Sequence, residues 1–492
     1  MTKAVDYQID QIKNSETFKI VQNDTDLDRI EEIVANMRKY FNTGATLPYE
    51  FRKKQLKKFY KAIDDNEKAI FDAVRTDMGK PDYEILISET GVTKLETSFA
   101  LKHLKGWMKK KKAKTPFYNF GTKSYRYASP KGVVLVIGPW NYPFQLVMVP
   151  VLGALAAGCC VVIKPPDYAY ETSKIIKKMI SENFDENYVK VIEADGSGTE
   201  KLLQQKWDHM FYTGGTRVGK IVYQHAVKNL TTVTLELGGV NPAIIDKNVN
   251  IGKAVDAIMF GKWLNLGQTC IAPNTLYIHE DVQEEFTQKL LKKMKKTFGD
   301  NPRESKVLAR INNPNHHQRL VSLLDDGKAI IGGKQFEQEL FIEPTVLVEA
   351  DRDKSKVVNQ EIFGPILPLV PFNDTTFTLD NILEKVNSGE EPLTVYLFSN
   401  DKKVHEKVVS RVRSQNLLIN DTLTQFTNSN LPFGGVASSG IGGYHGYYTF
   451  EQFSIIKSVM NQNLPTLIHT LRWVRRPPYN RVKMFMTRFF FR

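Results

Sequence analysis

Gly132-Val133-Val134-Leu135-Val136-Ile137-Gly138 sets an uninterrupted apolar run, all valine, leucine and isoleucine, between two glycines. A short apolar run bounded by breakers reads as a strand buried on both faces, as a parallel sheet covered by helices requires. Working outward, the same unit recurs. Cys160-Val161-Val162-Ile163, Val189 to Ile192 and Met210-Phe211-Tyr212 are further short runs, separated by stretches of helical spacing. The rhythm predicts an α/β fold. After Thr231, Val233 and Leu235 a second α/β region runs to about Gln425. Its strands are Ala243-Ile244-Ile245, Leu276-Tyr277-Ile278, Val395-Tyr396-Leu397-Phe398 and Leu417-Leu418-Ile419. Residues 27–115 instead alternate charge with apolar positions at helical spacing (Arg52, Lys53, Leu56, Phe59, Ile63) and predict surface-packed helices. Pro116, Phe117, Tyr118, Phe120, Tyr125 and Tyr127 predict extended chain or a hairpin. There is no internal repeat.

At 492 residues the chain has room for two or three domains, and 42% hydrophobic with 25% charged residues is a globular composition. Three cysteines, with Cys159 and Cys160 adjacent and Cys270 apart, cannot build a disulfide framework and suit a reducing compartment. No spaced set of His, Cys and carboxylates suggests a metal site. The net charge of +13 is locally concentrated. Arg472, Arg475, Arg476, Arg481, Lys483, Arg488 and Arg492 face no acidic residue in the last 22 positions, and Lys109 to Lys112 with Lys114 form a second block. Such runs are usually solvated faces, and no nucleic-acid partner is expected. Residues 1–26 carry Asp6, Asp10, Glu16, Asp24 and Asp26 and no apolar core, unlike a signal peptide. Phe144 to Ile163 could span a bilayer by length, but Pro150 interrupts it and Gly158 to Ile163 reads as a turn into a buried strand.

Gly267-Gln268-Thr269-Cys270-Ile271-Ala272-Pro273 places the isolated thiol on a glycine-led polar turn, the setting of a nucleophile. A free thiol titrates near ~8.5, so little is thiolate at neutral pH unless its surroundings stabilise the anion. In Tyr212-Thr213-Gly214-Gly215-Thr216-Arg217-Val218-Gly219-Lys220 a strand enters a glycine turn and then a helix, whose free N–H groups and dipole suit pyrophosphate. Its spacing is Gly-x-Thr-x-x-Gly, not Gly-x-Gly-x-x-Gly. Two carboxylates precede glycine turns: Glu236 in Thr234-Leu235-Glu236-Leu237-Gly238-Gly239 and Glu361 in Gln360-Glu361-Ile362-Phe363-Gly364-Pro365. Either suits a base beside a bound substrate. Gly440 to Gly446 lacks a preceding strand and reads as a loop.

With Gly138-Pro139-Trp140-Asn141-Tyr142-Pro143-Phe144 and Leu431-Pro432-Phe433-Gly434-Gly435 added, the motifs resemble, in order and spacing, the aldehyde dehydrogenase superfamily. Phe363 to Pro368, Asn420-Asp421-Thr422 and Tyr444-His445-Gly446 resemble its class 3 branch, which includes fatty aldehyde dehydrogenases. The resemblance covers roughly residues 30–480. It implies a Rossmann-type dinucleotide-binding domain over 27–237, with an oligomerisation arm at about 113–130, and an α/β catalytic domain over 238–435. An N-terminal extension (1–26), a return segment (436–478) and a basic tail (479–492) complete the chain. It implies oxidation of a medium- to long-chain aliphatic or an aromatic aldehyde to the acid, with NAD preferred and NADP also used. Cys270 would be the nucleophile, Asn141 and the Cys270 N–H the oxyanion donors, and Glu236 the base. Lys164 and Glu361 would bind the two riboses, Phe363 would support the nicotinamide ribose, and Gly214, Gly215, Thr216 and Gly219 would receive the pyrophosphate. Tyr142, Leu264 and Phe260 would line an apolar tunnel. A homodimer in the cytoplasm is the expected assembly.

Departures from the family pattern touch the cofactor side: Lys164-Pro165-Pro166-Asp167 for Lys-Pro-Ser-Glu, Gly215 for Ser, Val240 for Lys, Ala437-Ser438 for Gly-Asn and Gly158-Cys159 for Gly-Asn. Two rival readings exist. A CoA-acylating relative would lack the Glu236-type base, and a non-catalytic relative would have lost Cys270, Asn141 or Glu236. In the tail, Val482, Phe485, Met486, Phe489 and Phe490 fall on one helical face, with Arg481, Lys483, Arg488 and Arg492 around it. Such a helix is too short to span a bilayer but can lie in an acidic interface; packing on the enzyme's own body or dimer partner is the alternative.

Overall fold

The computed structural model describes residues 20–116, 119, 122–462, 473 and 476–490, without the side chains of Phe489 and Phe490. Most of the expected N-terminal extension, the arm residues Phe117, Tyr118 and Phe120, and Arg472, Arg475 and Arg492 lie outside the described residues.

A hairpin of β1 (Lys111–Ala113) and β2 (Lys123–Pro130) leads into β3 (Val133–Ile137), β4 (Cys160–Lys164), β5 (Val189–Val191), β6 (His209–Thr213) and β7 (Thr232–Glu236). The last five are parallel, in the order β7-β6-β3-β4-β5. Strand order reverses at β3, where the chain goes outward to β4 and β5 and then returns to the other side as β6. Ligands of open α/β sheets bind at such a reversal, beyond the carboxyl ends of the strands. The opening run of the sequence analysis is β3, fully buried from Val133 to Val136.

The second sheet is built from β8 (Pro242–Ile245), β9 (Thr275–His279), β10 (Lys328–Ile331), β13 (Thr345–Val348), β14 (Ile366–Phe372), β15 (Thr394–Phe398) and β16 (Asn416–Ile419), in the order β10-β13-β14-β9-β8-β15-β16. Only β10 runs antiparallel. Between β10 and β13 lies a small hairpin, β11 (Gln335–Phe336) with β12 (Phe341–Ile342). The two large sheets carry separate apolar cores, one centred on β3, β4 and β6 and one on β8, β9 and β14. Finally β17 (Gly440–Ile441) pairs antiparallel with β7, and β18 (Ser454–Asn461) runs antiparallel along the whole of β2.

Three readings need correction or extension. Pro150 does not interrupt its segment: the helix Gln145–Ala157 continues through it, every residue buried. Proline forfeits a backbone bond and costs about 3 kcal/mol or more in a helix interior, a loss here set against complete burial. Gly158 then turns left-handed (φ 90°) and the chain enters β4. Among the described residues no helix is long and apolar enough to cross a membrane. Gly440 to Gly446 is not simply a loop, because Gly440–Ile441 is β17 and the helix Gly446–Gln452 follows. A Cβ on Gly440 would run into the Leu235 carbonyl, so only glycine lets this strand approach β7. Strand β14 escaped pattern reading because it carries Pro368 and Pro371, residues depleted from central strands.

Candidate active site

The carboxyl ends of the first sheet meet the amino ends of the second, and the candidate residues converge there. Ile137 at the end of β3 leads into the loop bearing Asn141, β4 ends at Lys164, β6 runs into Gly214-Gly215, and β7 ends at Glu236. From the other side, Cys270 precedes β9 and Glu361 to Phe363 precede β14, its neighbour in the sheet. Asn141, Gly214, Gly215, Glu236, Cys270, Glu361 and Phe363 border one cleft of about 270 Å³. Cys270 also borders a narrower pocket of about 40 Å³ with Tyr142, Leu146, Leu264, Phe433 and Tyr444. The thiol therefore stands where a wide, partly polar cleft joins an apolar one.

The nucleophile turn is strained and heavily bonded. Asn265, Leu266 and Gly267 are all left-handed, with φ of 52°, 53° and 77°. Gly267 is obligatory, since a Cβ would strike the Gly364 carbonyl. The strain is offset by buried side chains that each satisfy a carbonyl of the turn. Asn241 Nδ2 donates to the Cys270 carbonyl at 2.7 Å, Tyr396 Oη to that of Ile271 at 2.6 Å, and Lys262 Nζ to that of Pro273 at 2.9 Å. Gln268 Nε2 donates to the carbonyls of Asn265 and Arg310, and its Oε1 accepts from Asn312 N. Non-glycine residues in this region cost on the order of 1–3 kcal/mol and persist only where the surroundings over-determine them.

Neither chemical group at the centre is poised as an ion. Burial, with the charges of Glu361 and Glu236 adding to it, pushes the Cys270 thiol up to about 12. Burial alone holds Glu236 well above the usual carboxylate range, and neither of its carboxylate oxygens has a hydrogen-bond partner. An unpartnered buried carboxyl costs stability and invites a ligand or water. Burial also lifts Glu361 to about 7, against a bond from Gly239 N to its Oε1 at 3.3 Å. Gly238 leaves room for this carboxyl, which would collide with any Cβ there. His316, between Trp140 and Phe363, is driven down to about 3 by burial and Arg319, and its Nε2 is bonded to the Phe363 carbonyl at 2.7 Å. A neutral, engaged imidazole leaves the base role to the carboxyls.

Asn141 Nδ2 donates to the Gln268 carbonyl at 3.1 Å, which points its amide at the nucleophile turn. On the dinucleotide side, Gly215 caps the helix Thr216–Lys228, and a Cβ built on it meets nothing within 4 Å. That open space before a helix amino end fits a phosphate pair. Lys164 Nζ is 3.1 Å from Asp167 Oδ1 at the end of β4. Thr216 and Gly219 are helical rather than part of the turn, and Gly219 serves close packing: its Cβ would come within 2.6 Å of Leu237 Cδ2. Tyr142 and Leu264 line the apolar pocket as expected. Phe260 does not, being 41% exposed while Ile258 and Met259 take the inward side of its helix.

Sequence reasoning missed the residues that hold the loops: Lys80, Glu89, Asn265, Gln268, His316 and Arg319. It also missed the aromatic wall at Phe426, Phe433 and Tyr444, packed on His445, whose Nδ1 is 3.1 Å from Glu96. Among the described residues no group of His, Cys, Asp and Glu could hold a metal ion.

Known proteins resemble the chain over nearly its whole length. The model of the family described as "Aldehyde dehydrogenase family" matches residues 7–459. A 4,4'-diaponeurosporen-aldehyde dehydrogenase from Staphylococcus aureus is 41% identical over 465 residues, 94% of this chain and 99% of that protein. Aldehyde dehydrogenase family 3 member H1 of Arabidopsis thaliana is 38% identical, covering 92% and 93% of the two chains. Among solved structures, the substrate-bound state of Staphylococcus aureus AldH superposes with a TM-score of 0.89 at 41% identity, over 94% of this chain and 99% of that one.

Proposed function

The chain belongs to the aldehyde dehydrogenase family and is an aldehyde dehydrogenase; from that premise we propose that it oxidises medium- to long-chain aliphatic or aromatic aldehydes to carboxylic acids, with NAD preferred over NADP. The observation that carries this reading is the position of Cys270, bordering both the polar cleft and the apolar pocket, with the unpartnered Glu236 carboxyl in the cleft. An apolar pocket favours a hydrocarbon-like substrate, and a diaponeurosporen-aldehyde dehydrogenase among the relatives agrees with that class.

In this reading the Cys270 thiol first loses its proton to solvent water, and the thiolate adds to the aldehyde carbonyl carbon, giving a thiohemiacetal whose oxyanion is held by Asn141 Nδ2 and the Cys270 N–H. Loss of one such donor typically costs about 10²–10³-fold in rate. NAD, when bound, supplies the hydride acceptor. Lys164 and Glu361 would hold its riboses, Gly214 and Gly215 its pyrophosphate at the helix amino end, and Phe363 its nicotinamide end. Once hydride has left, Cys270 carries a thioester. Glu236 takes a proton from water, the hydroxide attacks the acyl carbon, and Cys270 departs as thiolate with release of the acid. Burial raises the proton affinity of this carboxyl, so it acts as the base only once ionised and is then the stronger one.

The preference for NAD rests on Asp167, whose carboxylate beside Lys164 would repel a 2′-phosphate while leaving the lysine partly neutralised. Comparable or better kcat/KM with NADP would overturn it. The protein is proposed to be a cytoplasmic homodimer, the exposed apolar residues Ile455, Ile456 and Met460 of β18 lying on the arm sheet that a second copy would cover. The deciding experiment follows NADH fluorescence with purified protein, NAD and a medium-chain aldehyde, with and without CoA. Turnover independent of CoA is expected; a requirement for CoA would make the enzyme acylating, and no NADH in either case would make the fold non-catalytic.

A further inference from the structure

The backbone carbonyl of Asn141 is a junction. It accepts from Lys80 Nζ at 2.8 Å and from Asn265 Nδ2 at 2.8 Å, both fully buried donors. Lys80 Nζ is also 2.8 Å from Glu89 Oε1, with both side chains wholly shielded from solvent, and it stands 3.9 Å from the centroid of the Tyr142 ring. The ammonium thus uses all of its directions. The other oxygen of Glu89 accepts the N–H groups of Phe144 (3.2 Å) and Gln145 (2.8 Å), at the amino end of the helix Gln145–Ala157, where a negative charge is favoured. Tyr142 Oη is 2.6 Å from Thr269 Oγ1, next to the nucleophile.

Residues 141–145 are therefore gripped at a carbonyl, a ring, a hydroxyl and two N–H groups, and one ion pair makes most of the grips. Glu89 reaches them from a single π-helical turn, Leu86–Thr90, an irregularity found chiefly at functional sites. Lys80 follows Gly79, the left-handed cap (φ 64°) that ends the helix Glu67–Met78. A buried ion pair is weak evidence for stability, since apolar replacements often serve as well. This one is bonded to backbone groups of the loop that carries the oxyanion amide.

We propose that Lys80, held by Glu89, is a positioning residue for catalysis: it fixes the Asn141 backbone so that the side-chain amide meets the oxyanion formed at Cys270. This rests on the assignment of Asn141 as oxyanion donor. Misplacing a catalytic group by about 1 Å can cost on the order of 10²-fold. The neutral, shape-conserving pair Lys80→Met with Glu89→Gln removes both charges together and avoids stranding either one.

The test measures the first-turnover burst of NADH with octanal and NAD, and separately the affinity for NADH. The paired variant should slow the burst about 10–10²-fold and leave NADH binding within about twofold. In an Asn141→Ala background, the same pair should slow the burst less than about twofold further, because the group it positions is already gone. Equal slowing in both backgrounds, or none in either, overturns the proposal. Asn265→Gly approaches the same carbonyl without disturbing the ion pair, and glycine accepts the left-handed backbone there, so this variant should slow the burst in the same Asn141-dependent way even if the paired variant does not fold. If Asn141→Ala alone leaves the burst unchanged, the oxyanion assignment fails and this proposal with it; if Asn141→Ala slows the burst but the Lys80 and Asn265 variants do not, only the positioning role fails.

Discussion

Cys270 and Glu236 share a pocket that disfavours charge on either, and each can be tested through that fact. With the thiol lifted to about 12, its reactivity in the coenzyme-free enzyme should climb nearly tenfold per pH unit from pH 6 to 9 without a plateau. Iodoacetamide labelling followed by mass spectrometry reads this directly, and a plateau below pH 7 would show a preformed thiolate. Label should stay on Cys270, which borders the open cleft, because Cys159 and Cys160 are wholly shielded from solvent. Cys270→Ala should abolish turnover. Glu236→Gln should give a burst of NADH and then stall at the thioester; near-normal steady-state turnover would pass the base role to Glu361. The same variant should be more stable than wild type, with a pH signature. A carboxyl whose folded pKa is raised imposes no penalty below its unfolded value near 4.5, and a growing one as pH rises toward its folded value. The melting-temperature gap should therefore be small at pH 4.5 and several degrees by pH 8. These residues could be read from the sequence because each sits in a short motif whose chemistry is local. Lys80 and Asn265 could not: their partner is 61 and 124 residues away, and a lysine after a helix-ending glycine looks like any solvated charge.

Among the elements, the turn between β6 and the helix Thr216–Lys228 offers a gain-of-function test. Gly215 caps the helix with φ −73° and ψ 146°, open to any L-residue, and a side chain there would meet empty space. Gly215→Ser should add a few tenths of a kcal/mol to stability as a better cap and supply a hydroxyl donor to the pyrophosphate. NADH affinity by fluorescence titration should rise about two- to fivefold; weaker binding would remove the phosphates from this turn. The tail helix Arg481–Phe490 is the second test. Val482, Met484 and Phe485 are exposed, whereas Lys483 turns inward, donating to the carbonyls of Arg476 and Pro478 and facing the Trp473 ring. Two members of the expected apolar stripe are thus free of the body, as attachment to an acidic interface needs, although one of its cations is spent on a local cap. The full chain should sediment with liposomes of acidic lipid at low salt and a chain ending at Tyr479 should not; if both remain in solution, the tail has no membrane role. Strands with unbroken apolar runs were legible in advance. Strands β10, β14 and β18 were not, being respectively exposed, proline-bearing and mostly solvated, so that pairing with distant partners and not local pattern creates them.

For the molecule as a whole, the α/β character and the two separate cores follow from the recurring strand–helix rhythm, but the way the sheets face each other does not. The carboxyl edge of one and the amino edge of the other meet through bonds such as Asn141 to Gln268 and Gly239 to Glu361, between residues 127 and 122 positions apart. No local signal encodes such pairings. The closing strand β17 goes further, placing Gly440 opposite Glu236. Seen in time instead of space, this makes the order of synthesis matter. A chain emerging from the ribosome exposes Cys270 long before Gly440 exists, and the strand that bears the base still lacks its outer neighbour. A nascent or prematurely terminated chain should therefore carry the thiol without the finished machinery around it. Stalled chains ending at Ser438 should give no NADH burst, and chains extended past Asn461 should. The enzyme would thus be silent until translation is almost complete.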